Sequence, residues 1–79
     1  MNTILIIEDD GAIAVGLADT LQGEGYPVQV AKTGTEALQF IIATEPALIV
    51  LDLNLPDMDG LDVLTHVRSR GLQVPVLIL

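Results

Sequence analysis

The sequence contains no cysteine and very few aromatic residues. Without cysteine, the chain has no disulfide framework and no thiolate metal site. Aromatic residues make up 3% of the 79 residues, so the core must be built from aliphatic side chains. No apolar run reaches the roughly 18 residues that a membrane span needs, and the N-terminus lacks the basic flank of a signal peptide. We therefore expect a cytoplasmic protein with no membrane partner.

Basic residues are also scarce. The chain has three basic residues, Lys32, Arg68 and Arg70, and eleven acidic residues, which gives a net charge of -8. Such a chain has no positive surface for a phosphate backbone, so direct binding to DNA or RNA by these residues is not expected. Multivalent cations are the more natural ligands.

Short aliphatic runs alternate with helical patterns along the chain. Residues 4–7 and 47–51 are continuous aliphatic runs closed by acids and are typical of buried strands. Val28 and Val30 alternate with polar residues, which indicates a strand nearer an edge. Residues 74–79 form the last predicted strand.

Three helices are predicted between these strands. The first runs from Ala12 to Gln22 with Asp10 as its N-cap, and the second begins at Thr33, which forms a capping box with Glu36. The third follows Gly60 and ends before Gly71, and its inward positions are predicted to be Leu61, Leu64 and Val67. The order is βαβαβαβ, which predicts an α/β fold with a parallel sheet covered on both faces.

Acidic residues follow two of the buried strands. Glu8, Asp9 and Asp10 come after the first strand, and Asp52 follows the third. In open parallel sheets, ligands bind at the carboxyl ends of the strands. Two like charges at about 4 Å cost on the order of 4 kcal/mol at an effective dielectric of 20, so a cluster would take up a proton or a cation. Oxygen ligands in a wet cleft suit Mg²⁺, with Mn²⁺ as an alternative, although a solvated turn with one helix cap would use the same acids.

Three other acid or phosphate motifs fit less well. A calcium-binding EF-hand starting at Asp52 fails, because Pro56 and Val63 stand where that loop needs oxygen ligands. Asp57 and Asp59 resemble the paired acids of haloacid-dehalogenase-type phosphatases, but they lie in mid-loop. A small phosphohydrolase that uses these two acids is the weakest alternative. No glycine-rich phosphate loop follows the first strand.

Two segments resemble the receiver domain of bacterial two-component response regulators, in the branch with winged-helix (OmpR/PhoB-like) transcription factors. These are residues 4–10, ILIIEDD, and residues 51–60, LDLNLPDMDG. The resemblance covers the chain from Asn2 to Leu79. It implies a flavodoxin-like (CheY-like) doubly wound sheet with strand order 2-1-3-4.

The resemblance also assigns roles to single residues. Asp52 is the phosphoacceptor for a sensor histidine kinase and also a ligand of Mg²⁺. Asp9 binds the same ion directly, Glu8 binds it directly or through water, and Asn54 contributes its backbone carbonyl. The ion neutralises charge while the aspartate attacks in line. A receiver is a signalling domain that controls transcription through a separate DNA-binding domain, and it is not an enzyme beyond, at most, slow autodephosphorylation.

The chain also departs from the receiver pattern. Residues 1–79 are expected to be the N-terminal portion of a receiver, because the fourth helix, the fifth strand, the fifth helix and the output domain have no counterpart in the sequence. Lys32 does not match the receiver lysine, and the lone His66 is taken as a surface residue. The alternative hypothesis is a truncated or engineered fragment that cannot be phosphorylated and acts as a structural module. It would self-associate through the edge of the fourth strand and an uncovered sheet face.

Overall fold

A four-stranded parallel sheet organises this computed structural model, which describes residues 3–79. The strands are β1 (Ile4–Ile7), β2 (Val28–Ala31), β3 (Leu48–Leu51) and β4 (Val76–Ile78), and the helices are α1 (Gly11–Gly23), α2 (Gly34–Ala43) and α3 (Gly60–Ser69). The strand order is β2-β1-β3-β4, which confirms the predicted α/β flavodoxin-like fold. Met1 and Asn2, where the predicted domain starts, lie outside the described residues. Within residues 3–79, no helix has the length and apolar character required to cross a membrane.

Side-chain caps define where the helices begin. Asp10 accepts hydrogen bonds from two amide groups in the first turn of α1, at 3.0 and 3.1 Å, and Thr33 accepts one from Glu36 at the start of α2. Both caps were predicted from the sequence. Asp59 caps α3 in the same way. Each cap satisfies amide groups that have no partner inside the helix, so the loop-to-helix junctions are well defined.

The two faces of the sheet carry separate apolar clusters. On one face, Ile4, Ile6 and Val50 pack against Leu17 and Leu21 of α1. On the other face, a larger cluster lies under α2 and α3, and its buried members include Leu5, Ile7, Ala37, Ile41, Ile49, Leu51, Val63 and Val67. Aliphatic packing on both faces explains how a chain with so few aromatic residues forms a core.

The inward face of α3 agrees with the prediction at Leu64 and Val67 but not at Leu61. Leu61 is 49% exposed, whereas Val63 and Val67 are each 1% exposed. The helix begins at Gly60, whose backbone lies against the end of β3, and this contact sets the rotation of the helix about its axis. Because neighbouring helical residues are about 100° apart, Val63 then points inward and Leu61 points outward.

The β4 strand forms one edge of the sheet and is only partly covered. Val50 pairs with Leu77, so Leu77 points to the face that carries α1. The contacts of α1 with the sheet lie mainly on β1 and β2. Leu77 is therefore 56% exposed, and Leu79 is 55% exposed.

We predict a clear difference between two alanine substitutions in α3. Val63→Ala should lower the free energy of unfolding by about 2 kcal/mol, because it removes two buried methyl groups. Leu61→Ala should change it by less than about 0.5 kcal/mol, since the side chain is half exposed. Urea denaturation followed by circular dichroism measures both. Equal losses in the two variants would contradict the observed rotation of α3.

Candidate functional site

The in-register pairing of β1 and β3 brings acidic residues side by side. Ile7 pairs with Leu51, and the Asp52 amide donates to the Ile7 carbonyl at 2.9 Å. Glu8 and Asp52 are the next residues of the two strands, so they stand at the same level of the carboxyl edge. This is the edge where open α/β sheets bind their ligands.

Three carboxylates meet at this edge. One oxygen from each of Glu8, Asp9 and Asp52 lies within 4.8 Å of the other two. Glu8 is 4% exposed, Asp52 is half-buried and Asp9 is exposed. The cluster is therefore anchored in the protein at Glu8 and open to solvent at Asp9. The structure thus brings together the three side chains that the sequence predicted as metal ligands.

Burial raises the pKa of the Glu8 carboxyl above its usual range, and the charges of Asp52 and Asp9 act in the same direction. The Asp10 amide, which donates to Glu8 at 3.2 Å, opposes part of this effect. The negative form of Glu8 is thus destabilised by its surroundings. A bound cation would offset that cost, and a proton on Glu8 is the alternative.

The spacing of the three oxygens is compatible with a small divalent ion. Oxygens around octahedral Mg²⁺ at about 2.1 Å lie about 3.0 Å apart when adjacent and about 4.2 Å apart when opposite. The widest spacing in the cluster is up to 4.8 Å. One carboxylate would therefore move inward or bind through a water molecule, which Mg²⁺ commonly retains. The all-oxygen donor set suits Mg²⁺ or Mn²⁺.

The loop after β3 holds the Asp52 side chain in one orientation. The Asn54 amide donates to Asp52 Oδ1 at 3.0 Å, which closes a tight turn of the kind that aspartate favours. Asn54 also forms an isolated bridge with Asp59, and the Gly60 amide donates to the Leu53 carbonyl at 3.0 Å. These contacts keep the backbone amide of Asn54 next to the Asp52 carboxylate, and the role of the Asn54 carbonyl as a metal ligand stays a prediction.

Gly60 allows the close approach between α3 and the end of β3. A Cβ atom at this position would lie 2.6 Å from the Asp52 carbonyl oxygen and 2.7 Å from the Leu53 Cα atom. Both neighbours are backbone atoms, which cannot rotate away. Any larger residue at position 60 would therefore push the Asp52 backbone.

Asp57 has a contact that sequence reasoning did not foresee. Its carboxylate accepts hydrogen bonds from the Gly34 amide at 2.8 Å and from the Thr35 amide and hydroxyl at 3.0 and 2.7 Å. The Thr35 hydroxyl first, and then the two amides, lower the pKa of Asp57 below its usual range. The partners lie more than twenty positions away along the chain, so no local pattern indicates them.

The remaining candidates lie elsewhere or serve the backbone. Asp10 and Asp59 are helix caps, and Asp57 is bound to the start of α2. The pair proposed for a phosphohydrolase therefore has structural partners for both of its carboxylates. His66 is exposed, with Nδ1 at 2.8 Å from the Asp62 carbonyl, and Lys32 is also exposed.

Comparison with known proteins decides the family. Residues 4–79 match the model of the response regulator receiver domain. This chain belongs to the response regulator receiver domain family. The response regulator MprA of Mycolicibacterium vanbaalenii is 41% identical over 76 residues, which cover 96% of this chain. The match spans 33% of that relative, so the chain covers about a third of the curated relatives' length.

Solved receiver domains share the same backbone arrangement. A signal receiver domain from Vibrio parahaemolyticus superposes with a TM-score of 0.93 at 36% identity, covering 98% of this chain and 59% of the other. The response regulator MaeR bound to beryllium trifluoride superposes with a TM-score of 0.91 at 28% identity, covering 100% and 66% of the two chains. The backbone of this chain, with its strand order, therefore has the fold of solved receiver domains.

A pair of glycine substitutions tests the close approach at Gly60. Gly60→Ala should lower the free energy of unfolding by about 1–3 kcal/mol, because the added methyl group overlaps the backbone of Asp52 and Leu53. The matched control is Gly16→Ala in α1, where a Cβ atom meets nothing within 4 Å. That variant should be more stable by roughly 0.5–1 kcal/mol, since alanine favours the helix. Thermal or urea denaturation measures both changes, and a neutral Gly60→Ala would contradict the contact.

Proposed function

We propose that this receiver accepts a phosphoryl group on Asp52 from a sensor histidine kinase, with a divalent cation, Mg²⁺ in preference to Mn²⁺, at the acid cluster. The observation that carries the proposal is the meeting of Asp52 with Glu8 and Asp9 at the carboxyl edge of the sheet. MaeR, a structural relative, binds beryllium trifluoride, a small anion shaped like a phosphoryl group. That relative supports phosphoryl acceptance in this fold.

The transfer is a displacement at phosphorus. A carboxylate oxygen of Asp52 attacks the phosphorus, the bond to the imidazole nitrogen of the kinase phosphohistidine breaks, and the nitrogen keeps the bonding electron pair. The products are an aspartyl phosphate and a free histidine. The Asn54 amide donates to Oδ1 of Asp52 at 3.0 Å, which orients the carboxylate for this attack.

The residues around Asp52 have separate tasks in this proposal. Glu8, Asp9 and Asp52 would hold the cation, and the Asn54 backbone carbonyl would be a further protein ligand. When bound, the ion offsets the negative charge that builds up on the phosphoryl oxygens. Asp52 is half-buried, so its attacking oxygen stays accessible to a phosphodonor. Slow autodephosphorylation is the most that this site would catalyse by itself.

The partners follow from the family and from the charge of the chain. A sensor histidine kinase in the cytoplasm supplies the phosphoryl group, and the exposed Ile13 near the start of α1 offers an apolar contact beside the acid site. With a net charge of -8, this chain is unsuited to binding DNA itself. In this proposal, control of transcription requires a separate DNA-binding domain.

Phosphorylation by a small phosphodonor tests the proposed site. Incubation with acetyl phosphate and Mg²⁺ should modify Asp52, and peptide mass spectrometry maps the position. Asp52→Asn should abolish the modification, because an amide is a poor nucleophile, while Asp59→Asn should leave its position unchanged. Removal of Mg²⁺ with a chelator should reduce the modification at least about tenfold.

The same experiment can refute the proposal. Modification that persists in Asp52→Asn would place the acceptor elsewhere. If the unsubstituted chain takes up no phosphoryl group, a longer form that continues beyond Leu79 serves as the decisive sample. Failure in that form also would exclude Asp52 as the acceptor.

A second candidate function is self-association, either as a phosphorylated receiver or as a purely structural module. The observation in its favour is the exposed apolar surface at β4, where Leu77 and Leu79 are each more than half exposed. β4 is also an edge strand of the sheet formed by residues 3–79. An exposed edge strand with apolar side chains is a surface on which a second copy can pair or pack.

Light scattering at tens of micromolar should show a dimer or a larger oligomer. Leu77→Lys should shift the distribution toward the monomer, because a charge on the sheet face opposes burial. The control is Ile42→Lys, which changes a side chain that is 62% exposed on α2, over the opposite face. A stable monomer of the unsubstituted chain, or equal effects of the two substitutions, would exclude association through β4.

A further inference from the structure

The loop that follows Asp52 is held at two places. At its base, Asn54 bridges to Asp59 and the Gly60 amide bonds to the Leu53 carbonyl. At its tip, the Asp57 carboxylate takes three hydrogen bonds from Gly34 and Thr35, at 2.7 to 3.0 Å. Among the hydrogen bonds of residues 3–79, those of Asp57 are the ones that join the tip to another element.

The partner of this tether is a rigid element. Gly34 and Thr35 are the first two residues of α2, where unpaired amides and the helix dipole favour a negative group. Ala37 and Ile41 anchor α2 in the core, with 0% and 3% of their surface exposed. Because α2 is anchored in the core, its contact with the loop tip fixes the position of the tip relative to the sheet.

Packing strengthens the same junction. The Met58 side chain fills the space over Gly34, so closely that a Cβ atom at position 34 would overlap its sulfur atom. Gly34 is buried and Met58 is half-buried. Hydrogen bonds at Asp57 and van der Waals contact at Met58 therefore lock the tip onto the start of α2.

Asn54 lies at the base of the loop, three residues before the Asp57 tether. Its amide orients the Asp52 carboxylate, and its carbonyl is the proposed cation ligand on this side. If the tip were released, the contacts at the base alone would have to keep this carbonyl within the few tenths of an ångström that metal ligation tolerates. Residues that orient ligands in this way often contribute strongly to metal affinity.

We propose that Asp57 is a positioning residue for the acid site: its tether to α2 holds Asn54 and the Asp52 carboxylate in the geometry that binds the cation. This inference rests on the proposed function, because it concerns the same cation. Asp57 itself touches neither the cation nor the phosphoryl group. Its effect passes through the loop backbone.

Four substitutions separate positioning from charge and from general stability. Asp57→Ala removes the tether, and Thr35→Val removes one of its three hydrogen bonds and serves as the milder variant. Thr33→Ala removes the N-cap of the same helix without touching the loop. Glu36→Gln removes one negative charge from the first turn of α2, where the side chain is exposed.

Two measurements on the 79-residue chain decide the proposal. Amide hydrogen exchange, resolved by NMR, reports the mobility of the Asn54 and Gly60 amides. Asp57→Ala should accelerate both about tenfold, Thr35→Val less, and the two controls less than about threefold. Isothermal titration with Mg²⁺ should show affinity about tenfold weaker for Asp57→Ala and within about twofold for the controls.

The exchange measurement separates this proposal from the proposed function. If the unsubstituted chain binds no Mg²⁺, the proposed cation site fails, and the exchange rates alone decide whether Asp57 positions the loop. Unchanged exchange at Asn54 and Gly60 in Asp57→Ala would overturn the positioning role. Faster exchange with unchanged Mg²⁺ affinity would overturn it as well, as would equal loss of affinity in Glu36→Gln. If Asp57→Ala does not fold, the graded effect of Thr35→Val decides in the same way.

Discussion

Parallel pairing of β1 with β3 is the constraint on which the rest of the site depends. The register places Ile7 opposite Leu51, so the residues that follow, Glu8 and Asp52, emerge at the same level. A slip of one residue would turn every side chain of a strand to the other face. Burial of Ile7 and Leu51 in one core and of Ile6 and Val50 in the other prevents that slip.

The loop after β3 fixes the position of Asp52 beside Glu8 and so gives the site a defined geometry. Gly60 lets α3 begin against the backbone of Asp52, and Asp57 attaches the tip of the loop to α2. Asp52 is thus held by elements on three sides: β1, α3 and, through the loop, α2. Burial is uneven across the cluster, with Glu8 inside and Asp9 in solvent. Such a site keeps its shape on the buried side while staying open to solvent at Asp9.

The same sheet is unevenly covered. Its α2 and α3 face carries the larger core, whereas the opposite face is covered mainly over β1 and β2. Leu77 and Leu79 remain exposed on that face. The acid cluster lies at the carboxyl ends of β1 and β3, whereas the exposed apolar surface lies along β4. The two features are therefore separate. A change at one need not disturb the other, because different strands carry them.

Local sequence pattern was sufficient for the strands, two of the three helix caps and the acids at Glu8, Asp9 and Asp52. These features depend on neighbours along the chain: an aliphatic run, a capping side chain, an acid at the end of a strand. Strand order came from family resemblance, because periodicity does not specify which strands are neighbours. Only the folded chain decided that Val63 points inward in place of Leu61 and that Asp57 binds the start of α2. Both depend on contacts between segments distant in sequence, and close packing against the end of β3 overrides what the spacing of apolar residues indicates.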